Sequence, residues 1–228
     1  TERFFATDPA GRDTFVWMQN AEPASMFCAD ESDGEALRAC EQVNESLYAY
    51  EINGAGVEPA LAESCESNED ATVWVCTLRQ GVKFHDGSDF NADAVVWNVE
   101  KVLKQDAPQF DASQVGVTAS RMPTLASAKK IDDLTVELTT KEPDSFLPIN
   151  LTNLFMASPT KWQAFFEKAE GADAKAKSQA AWAAFAKEAS GTGPWKMSKF
   201  TPRERLELVK NEGYWDKARV PKVDKMVL

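Results

Sequence analysis

The stretch from Cys76 to Leu103 constrains the fold more than any other part of the chain. Residues 73–79 alternate with the period of two that is typical of a β-strand. Gly81 interrupts this strand, and residues 84–87 (Phe-His-Asp-Gly) are typical of a tight turn. Asn91 is predicted to cap a helix, whose apolar face has valines at 95, 99 and 102 and a leucine at 103. A strand, a turn and an amphipathic helix therefore follow one another closely, and we expect the rest of the chain to pack around this unit.

Composition and charge exclude several classes of protein. The chain has 228 residues, 43% of them hydrophobic and 10% aromatic, which is typical of a folded globular protein. Its formal net charge is −11, and it has no cluster of basic residues of the kind that nucleic-acid binding requires. No stretch approaches the roughly 20 apolar residues of a membrane-spanning helix. No apolar signal segment is present either, so we interpret Thr1 as a processed or trimmed start.

The four cysteines predict disulfides rather than a metal site. The chain has no C-x-x-C motif and one histidine, which argues against zinc. An even number of cysteines favours disulfides and an exported protein. We favour Cys65–Cys76, because residues 60–65 and 72–78 are predicted to be the two arms of a hairpin, and Cys28–Cys40 would then close a short acidic loop. The other pairings stay open, as does the alternative of four reduced thiols in a cytosolic protein.

The remaining pattern predicts alternating helices and strands. Helices are expected over 35–47, after a cap at Thr160, and over 171–190, where Ala, Lys and Gln dominate. The predicted strands are residues 14–18, a hairpin over 126–141, a second hairpin formed by 195–200 and 205–210, and a last strand over 223–228. Residues 1–13 are expected to be a loose lead-in and residues 106–123 a loop.

Several motifs together resemble one known family. The run LRQGVKFHDGSDFNADAVVWNVEKVL is similar to the signature of the family-5 extracellular solute-binding proteins, the peptide- and nickel-type receptors of bacterial ABC importers. It departs from that signature at Ala94, where the family usually has Asp. Further similar segments are LYAYE at 47–51, VEPALAES at 57–64, GTGPW at 191–195 and NEGYW at 211–215. Cys65 replaces the aromatic residue that follows VEPALAES in the family, which supports the favoured disulfide.

The resemblance implies an α/β, type II periplasmic-binding-protein-like fold, with mixed sheets flanked by helices. Family members are commonly longer, so the resemblance implies that residues 1–228 are lobe I of a two-lobed fold, without the second lobe. Residues 14–60 and 191–228 would form the main sheet subdomain, and residues 61–190 an inserted subdomain.

The implied function is capture of a peptide or similar small solute for a membrane ABC permease, without catalysis, cofactor, metal-ligating residues or nucleic acid. Sugars and metal chelates are other solutes that the family binds. The protein would be a periplasmic or extracellular monomer, and a lipid anchor on the full-length protein is compatible with this. By position in the matched segments, the resemblance implies ligand contacts from five residues of this lobe: Asn20, Ala21, Glu22, Tyr48 and Thr192.

An extracellular hydrolase with paired carboxylates is the main alternative, and a surface interaction domain that keeps the fold without transport is a third. Carboxylate pairs occur at 30/31, 69/70 and 132/133, but they fall in predicted turns, where water keeps carboxyl pKa values ordinary. His85 beside Asp86 lacks a nucleophile in a recognisable elbow, so we expect it to make a turn hydrogen bond. Gly191 and Gly193 lack the following Lys-Ser/Thr of a phosphate loop, and we expect them to allow a close backbone crossing instead.

Overall fold

The structure is a computed structural model that describes residues 13–228, so nearly all of the predicted lead-in lies outside the described residues. The strands are β1 Thr14–Val16, β2 Tyr48–Tyr50, β3 Val57–Pro59, β4 Ala62–Ser67, β5 Val73–Leu78, β6 Leu125–Asp132, β7 Thr135–Thr140, β8 Trp195–Thr201, β9 Arg205–Lys210 and β10 Lys225–Val227. The helices are α1 Gly34–Cys40, α2 Ala92–Leu103, α3 Ala112–Gln114, α4 Leu147–Asn150, α5 Pro159–Lys168 and α6 Ala174–Phe185.

The strands form two four-stranded sheets and one small ladder in this part of the chain. The first sheet has the order β1-β10-β9-β8, and β1 runs parallel to β10 while the other pairs are antiparallel. The second sheet is antiparallel throughout, with the order β4-β5-β7-β6. Strands β2 and β3 pair only with each other. Mixed sheets and helices are thus present, as predicted for the fold class.

The strand, turn and helix predicted over Cys76–Leu103 are confirmed. Strand β5 is followed by Gly81 and Gly87, which both have positive φ, 77° and 90° respectively. The Asn91 side chain accepts a hydrogen bond from the backbone N–H of Ala94 at 3.1 Å, which caps α2. The valines at 95, 99 and 102 are buried on one face of α2. This face packs into a core shared with the second sheet.

The two predicted hairpins are also confirmed, with small shifts at their ends. Strands β6 and β7 form the first and β8 and β9 the second. The hairpin predicted around the second cysteine pair is β4–β5, which begins two residues later than expected. The last strand is shorter than predicted and covers residues 225–227. Period-two patterns located these strands well because each lies on a half-buried sheet.

The helix predicted over residues 35–47 ends early, at Cys40. Asn44 explains this correction. Its buried side-chain amide donates hydrogen bonds to the carbonyls of Met26 and Cys40, both at 2.8 Å. These bonds hold residues 41–44 in turns against the 26–28 segment. The apolar residues that follow Cys40 therefore belong to irregular backbone and not to a helix, although their side chains still pack into the hydrophobic cores.

Two other local predictions were wrong. Thr160 does not cap α5, because the Ser158 hydroxyl accepts the hydrogen bond from the Lys161 N–H at 3.1 Å and Pro159 occupies the first helical position. The expected loop over 106–123 contains α3 and a π-helical turn, Val115–Ala119. This segment packs against the 28–30 turn, where the Thr118 hydroxyl donates to the Ala29 carbonyl at 3.1 Å. That contact is not visible in local periodicity.

The helix predicted over 171–190 is shorter, and forms α6 with Asp173 as its cap. Its aromatic residues complete a second core between α5, α6 and the first sheet. Trp162 and Trp182 lie there with ring centroids 5.7 Å apart, and Phe27 stacks on Trp182 at 5.4 Å. These tryptophans are buried and serve packing.

The structure contains both favoured disulfides, Cys28–Cys40 and Cys65–Cys76. Cys65 and Cys76 stand opposite each other in the β4–β5 ladder. The bond therefore joins two strands that are already neighbours. The Cys28–Cys40 bond joins the 28–30 turn to the carboxyl end of α1. Each bond closes a short loop between elements that pack in the same core.

Candidate ligand-binding site

The candidate site lies at the edge of the first sheet where β1 ends. Because β1 and β10 are parallel, their carboxyl ends lie side by side at this edge. The loop after β1 and the β8–β9 turn meet there and enclose an open groove of about 470 Å³. Carboxyl ends of parallel strands are a common position for ligand sites in α/β proteins. The residues that matter most in the groove are Trp17, Asn20, Ala21, Glu22, Phe200 and Arg203.

Hydrogen bonds fix the shape of the groove wall. The Gln19 side-chain amide donates to the Ala21 carbonyl at 2.7 Å. The Glu22 carboxylate accepts from the backbone N–H of Arg203 at 2.7 Å, across 181 residues of chain. Arg203 has a φ of 62°, in the left-handed region that a non-glycine residue adopts at a cost. The Glu22 carboxylate thus holds the β8–β9 turn against the loop that follows β1.

The groove combines the chemical features that small ligands need. Trp17 offers an aromatic ring, and the loop after β1 offers backbone polar groups at a strand end. Arg203 lines the groove together with Glu22 and Glu204, and it makes no ion pair with any residue of the 13–228 segment. An apolar surface beside an unpaired cation suits a small solute that carries a carboxylate.

The structure brings together three of the five predicted ligand contacts. Asn20, Ala21 and Glu22 are exposed and line the groove. Tyr48 and Thr192 do not line it, and both are buried elsewhere in the fold. Their role as ligand contacts therefore stays a prediction. In this structure the hydroxyls of Tyr48 and Thr192 form hydrogen bonds within the fold.

The hydroxyl of Tyr48 accepts a hydrogen bond from the Cys65 N–H at 3.0 Å. The hydroxyl of Thr192 donates to the Glu45 carboxylate at 2.7 Å. Glu45 also accepts from Tyr214 and Trp215, and burial raises the pKa of its carboxyl above the ordinary range. These contacts tie segments of the chain together.

Two groove residues, Phe200 and Arg203, were missed from the sequence. Both belong to the β8–β9 hairpin, which is about 180 residues after the loop that they face. The hairpin itself was predicted, but its place in the groove follows from the parallel pairing of β1 with β10. No local pattern around residue 200 signals that pairing.

Of the residues weighed for catalysis, His85 and Asp133 have structural partners. The expectation of ordinary pKa values was wrong for the 30/31 pair, because burial raises the pKa of both carboxyls, that of Asp30 to about 7. The His85 ring bonds the Gly193 carbonyl through Nε2 at 2.9 Å, so its bond crosses between distant segments and does not close its own turn. Burial lowers the pKa of His85 to about 4. The exposed Asp133 pairs with Lys130 at 2.6 Å. Within residues 13–228 no cluster of three or more His, Cys, Asp or Glu side chains could hold a metal ion.

No helix in the described range is long and apolar enough to cross a membrane. Gly191 and Gly193 lie against the backbone of residues 42–44, so the predicted close crossing is confirmed.

Comparison with known proteins identifies the family. The profile of the bacterial extracellular solute-binding proteins, family 5 (middle region), matches residues 56–228. The chain is 29% identical over 230 residues to heme-binding protein A of Haemophilus influenzae, and 28% identical over 237 residues to di/tripeptide-binding protein 1 of Pseudomonas aeruginosa. These matches cover 96% and 97% of the chain, but only 40% and 42% of the relatives.

Solved structures agree with the sequence matches. The periplasmic binding protein DppA of Helicobacter pylori, in complex with the peptide STSA, superposes with a TM-score of 0.78 at 26% identity, over 94% of this chain and 42% of that one. The dipeptide-binding protein of a Pseudoalteromonas species has the same fold, with a TM-score of 0.79 at 18% identity and the same coverage. The fold is therefore that of the periplasmic binding proteins, and the chain belongs to the family-5 bacterial extracellular solute-binding proteins.

Proposed function

We propose that this protein is the substrate-binding component of an ABC importer, which captures a peptide or similar small solute between two lobes and delivers it to a membrane permease. Residues 1–228 supply lobe I of that arrangement. Residues 14–60 and 191–228 are its main sheet subdomain, and residues 61–190 are the inserted subdomain. The chain spans about 40% of the length of the curated relatives it matches, so the proposed second lobe lies outside it.

The groove at the carboxyl end of β1 is the observation that carries this proposal. It is open on one side and lined by Asn20, Ala21 and Glu22. A solute resting there would contact one wall and leave its other face exposed to water. A second lobe closing over that face would enclose the solute by hinge motion.

A peptide is the favoured solute. One matched relative is named a di/tripeptide-binding protein, and the H. pylori structure holds the peptide STSA. The groove supports this choice, because Arg203 offers a cation for a peptide carboxylate and Trp17 an apolar surface for a side chain. Another relative is named a heme-binding protein, so heme is tested as a solute beside peptides.

The proposed setting is the periplasm or the extracellular space, where the protein works as a monomer beside an ABC permease. Two disulfides support export, because such bonds persist in oxidising compartments. A lipid anchor on the full-length protein would keep it near the permease. We propose no cofactor, protein-bound catalytic metal or nucleic-acid partner for this function.

Native mass spectrometry of the full-length protein as purified tests the function directly. We expect a co-purified peptide or similar small solute that is released on unfolding, and a matching synthetic solute that raises the melting temperature. Hydrolysis of the added solute would favour the carboxylate enzyme instead. No bound solute and no thermal shift across peptide and heme panels would contradict the proposal.

A matched pair of variants tests the site. Ala21→Trp places a large side chain in the groove, whereas Ala24→Trp changes an exposed residue of the same loop that does not line it. We expect Ala21→Trp to weaken solute binding at least about tenfold and Ala24→Trp to leave it unchanged. Equal solute binding by both variants would show that the solute does not bind in this groove.

A further inference from the structure

Met18 differs from the other methionines of the chain in its exposure. The sequence has six methionines, and all of them lie in the part of the chain that the structure describes. Met18 is 76% exposed. Four others are at most 6% exposed: Met26, Met122, Met156 and Met226. A reagent dissolved in water therefore reaches Met18 far more readily than these four.

The remaining sulfur atoms of this segment are engaged in contacts or bonds. Met197 is half-buried, and its sulfur accepts a hydrogen bond from the backbone N–H of Ala189 at 3.2 Å. All four cysteines are in disulfide bonds, so residues 13–228 contain no free thiol. An oxidant that attacks sulfur therefore meets Met18 before any other sulfur of residues 13–228.

Met18 lines the ligand groove. The residues on both sides of it are held in place. The backbone N–H of Trp17 donates to the Val227 carbonyl at 2.8 Å, and the Gln19 side-chain amide donates to the Ala21 carbonyl at 2.7 Å. These bonds keep Met18 at the groove although it is exposed to water.

Oxidation changes the character of a methionine side chain. The thioether is apolar and polarizable, and it packs well against apolar parts of a ligand. Hydrogen peroxide removes two electrons from the sulfur and leaves one of its oxygen atoms there, and the rest of the peroxide departs as water. The product, methionine sulfoxide, is polar, and methionine sulfoxide reductases return it to the thioether.

We propose that Met18 is a reversible oxidation site that controls solute capture in the groove. Oxygen-transferring oxidants of the peroxide class convert it to the sulfoxide, and the polar sulfoxide weakens binding of the apolar part of the solute. The bound solute in turn covers Met18 and shields it from the oxidant. This inference rests on the proposed function, because the solute concerned is the one that the groove captures.

The simpler explanation is that Met18 is an exposed surface residue whose oxidation has no effect. Both explanations predict that Met18 is oxidised first. Only the proposal predicts that a bound solute slows this oxidation and that the oxidised protein binds solute more weakly. These two measurements therefore separate the explanations.

The first experiment treats the full-length protein with dilute hydrogen peroxide and follows each methionine by peptide mass spectrometry. We expect Met18 to gain one oxygen atom faster than the other five methionines of residues 13–228. A saturating mixture of di- and tripeptides without methionine or cysteine should slow oxidation of Met18 at least about threefold. Equal oxidation of all six, or no protection by peptides that the protein binds, would overturn the proposal.

The second experiment measures peptide affinity by calorimetry before and after peroxide treatment. We expect the affinity of the unchanged protein to fall at least about threefold. Met18→Leu keeps an apolar side chain of similar volume without sulfur, so its affinity should be the same before and after treatment. Met197→Leu, the matched control outside the groove, should stay as sensitive to peroxide as the unchanged protein. Equal sensitivity of Met18→Leu and the unchanged protein would refute the role of Met18.

The proposed function and this inference fail in different ways. If the untreated protein binds neither peptides nor heme, the proposed function fails, and control of capture by Met18 fails with it. If the untreated protein binds peptides and the protein oxidised at Met18 binds them equally tightly, the inference alone fails.

Discussion

The carboxylate of Glu45 accepts a hydrogen bond from the hydroxyl of Thr192 at 2.7 Å, although 147 residues of chain separate the two. Tyr214 and Trp215 donate to the same carboxylate at 2.7 and 3.0 Å. The buried carboxylate therefore joins the turn after α1, the GTGP segment and the N-x-x-Y-W segment at one point. These two motifs are part of the family resemblance, and here their polar atoms act inside the fold.

Thr192→Val should lower the free energy of unfolding by about 1–3 kcal/mol, because a buried carboxylate oxygen loses a hydrogen-bond donor. Urea unfolding measures this change. Thr160→Val replaces an exposed threonine and should change stability by less than about 0.5 kcal/mol. Equal stability of the two variants would mean that Glu45 finds another donor.

Gly191→Ala should destabilise the protein by about 2–3 kcal/mol, because a Cβ there would lie 2.2 Å from the Val43 carbonyl oxygen and 2.8 Å from the Asn44 Cα. Backbone atoms cannot move aside as a flexible side chain can. Gly34→Ala is the matched control, since its Cβ meets nothing within 4 Å and lies at the start of α1. It should leave stability unchanged or raise it slightly. A Gly191→Ala protein as stable as the control would contradict the close crossing.

Replacement of Cys65 and Cys76 by serine should lower the free energy of unfolding by about 2–3 kcal/mol, since the bond closes a loop of 11 residues. Denaturant unfolding of the variant beside the unchanged protein measures this loss. Thiol alkylation of the unfolded, unreduced protein checks the bonds themselves and should label none of the four cysteines. Full labelling would support the reduced, cytosolic alternative.

Asp30 should make stability depend on pH. Burial first and the nearby Asp111 second raise the pKa of Asp30 to about 7 from its ordinary value of 3.8. An acid whose folded pKa is raised favours folding at low pH, and this contribution is lost as pH rises from about 4 through about 7. The loss is no steeper than about 1.4 kcal/mol per pH unit.

The measurement is the stability difference between the unchanged protein and Asp30→Asn from pH 4 to 8.5. As pH rises from 4 to 8.5, the free energy of unfolding of the unchanged protein should fall relative to that of Asp30→Asn. Lys101 titrates in the opposite sense, because burial lowers its pKa to about 7. Asp30 raises that pKa, so the loss of Asp30 lowers the pKa of Lys101 further and strengthens the same trend in the difference. Asp106→Asn, at an exposed position, should show no such trend. A flat difference for Asp30→Asn would show that Asp30 ionises normally.

The strand–turn–helix unit over Cys76–Leu103 was predictable because its determinants are local. The period of two in β5 and the cap at Asn91 depend on neighbours within a few residues. The same holds for the hairpins β6–β7 and β8–β9. The helix over 35–47 was predicted too long because Asn44 bonds Met26, 18 residues away. Local periodicity carries no information on such a contact.

The sequence alone thus determined the family, the disulfide-forming cysteines, most strands and the loop Asn20–Glu22 as a ligand candidate. Only the tertiary structure decided which residues, distant in the sequence, contact each other. It placed Arg203 against Glu22 through the parallel pairing of β1 and β10, and it buried Thr192 against Glu45. The physical reason is that secondary structure follows from short-range sterics and periodicity. A ligand site forms where distant segments come into contact, and packing of the whole chain determines which segments do so.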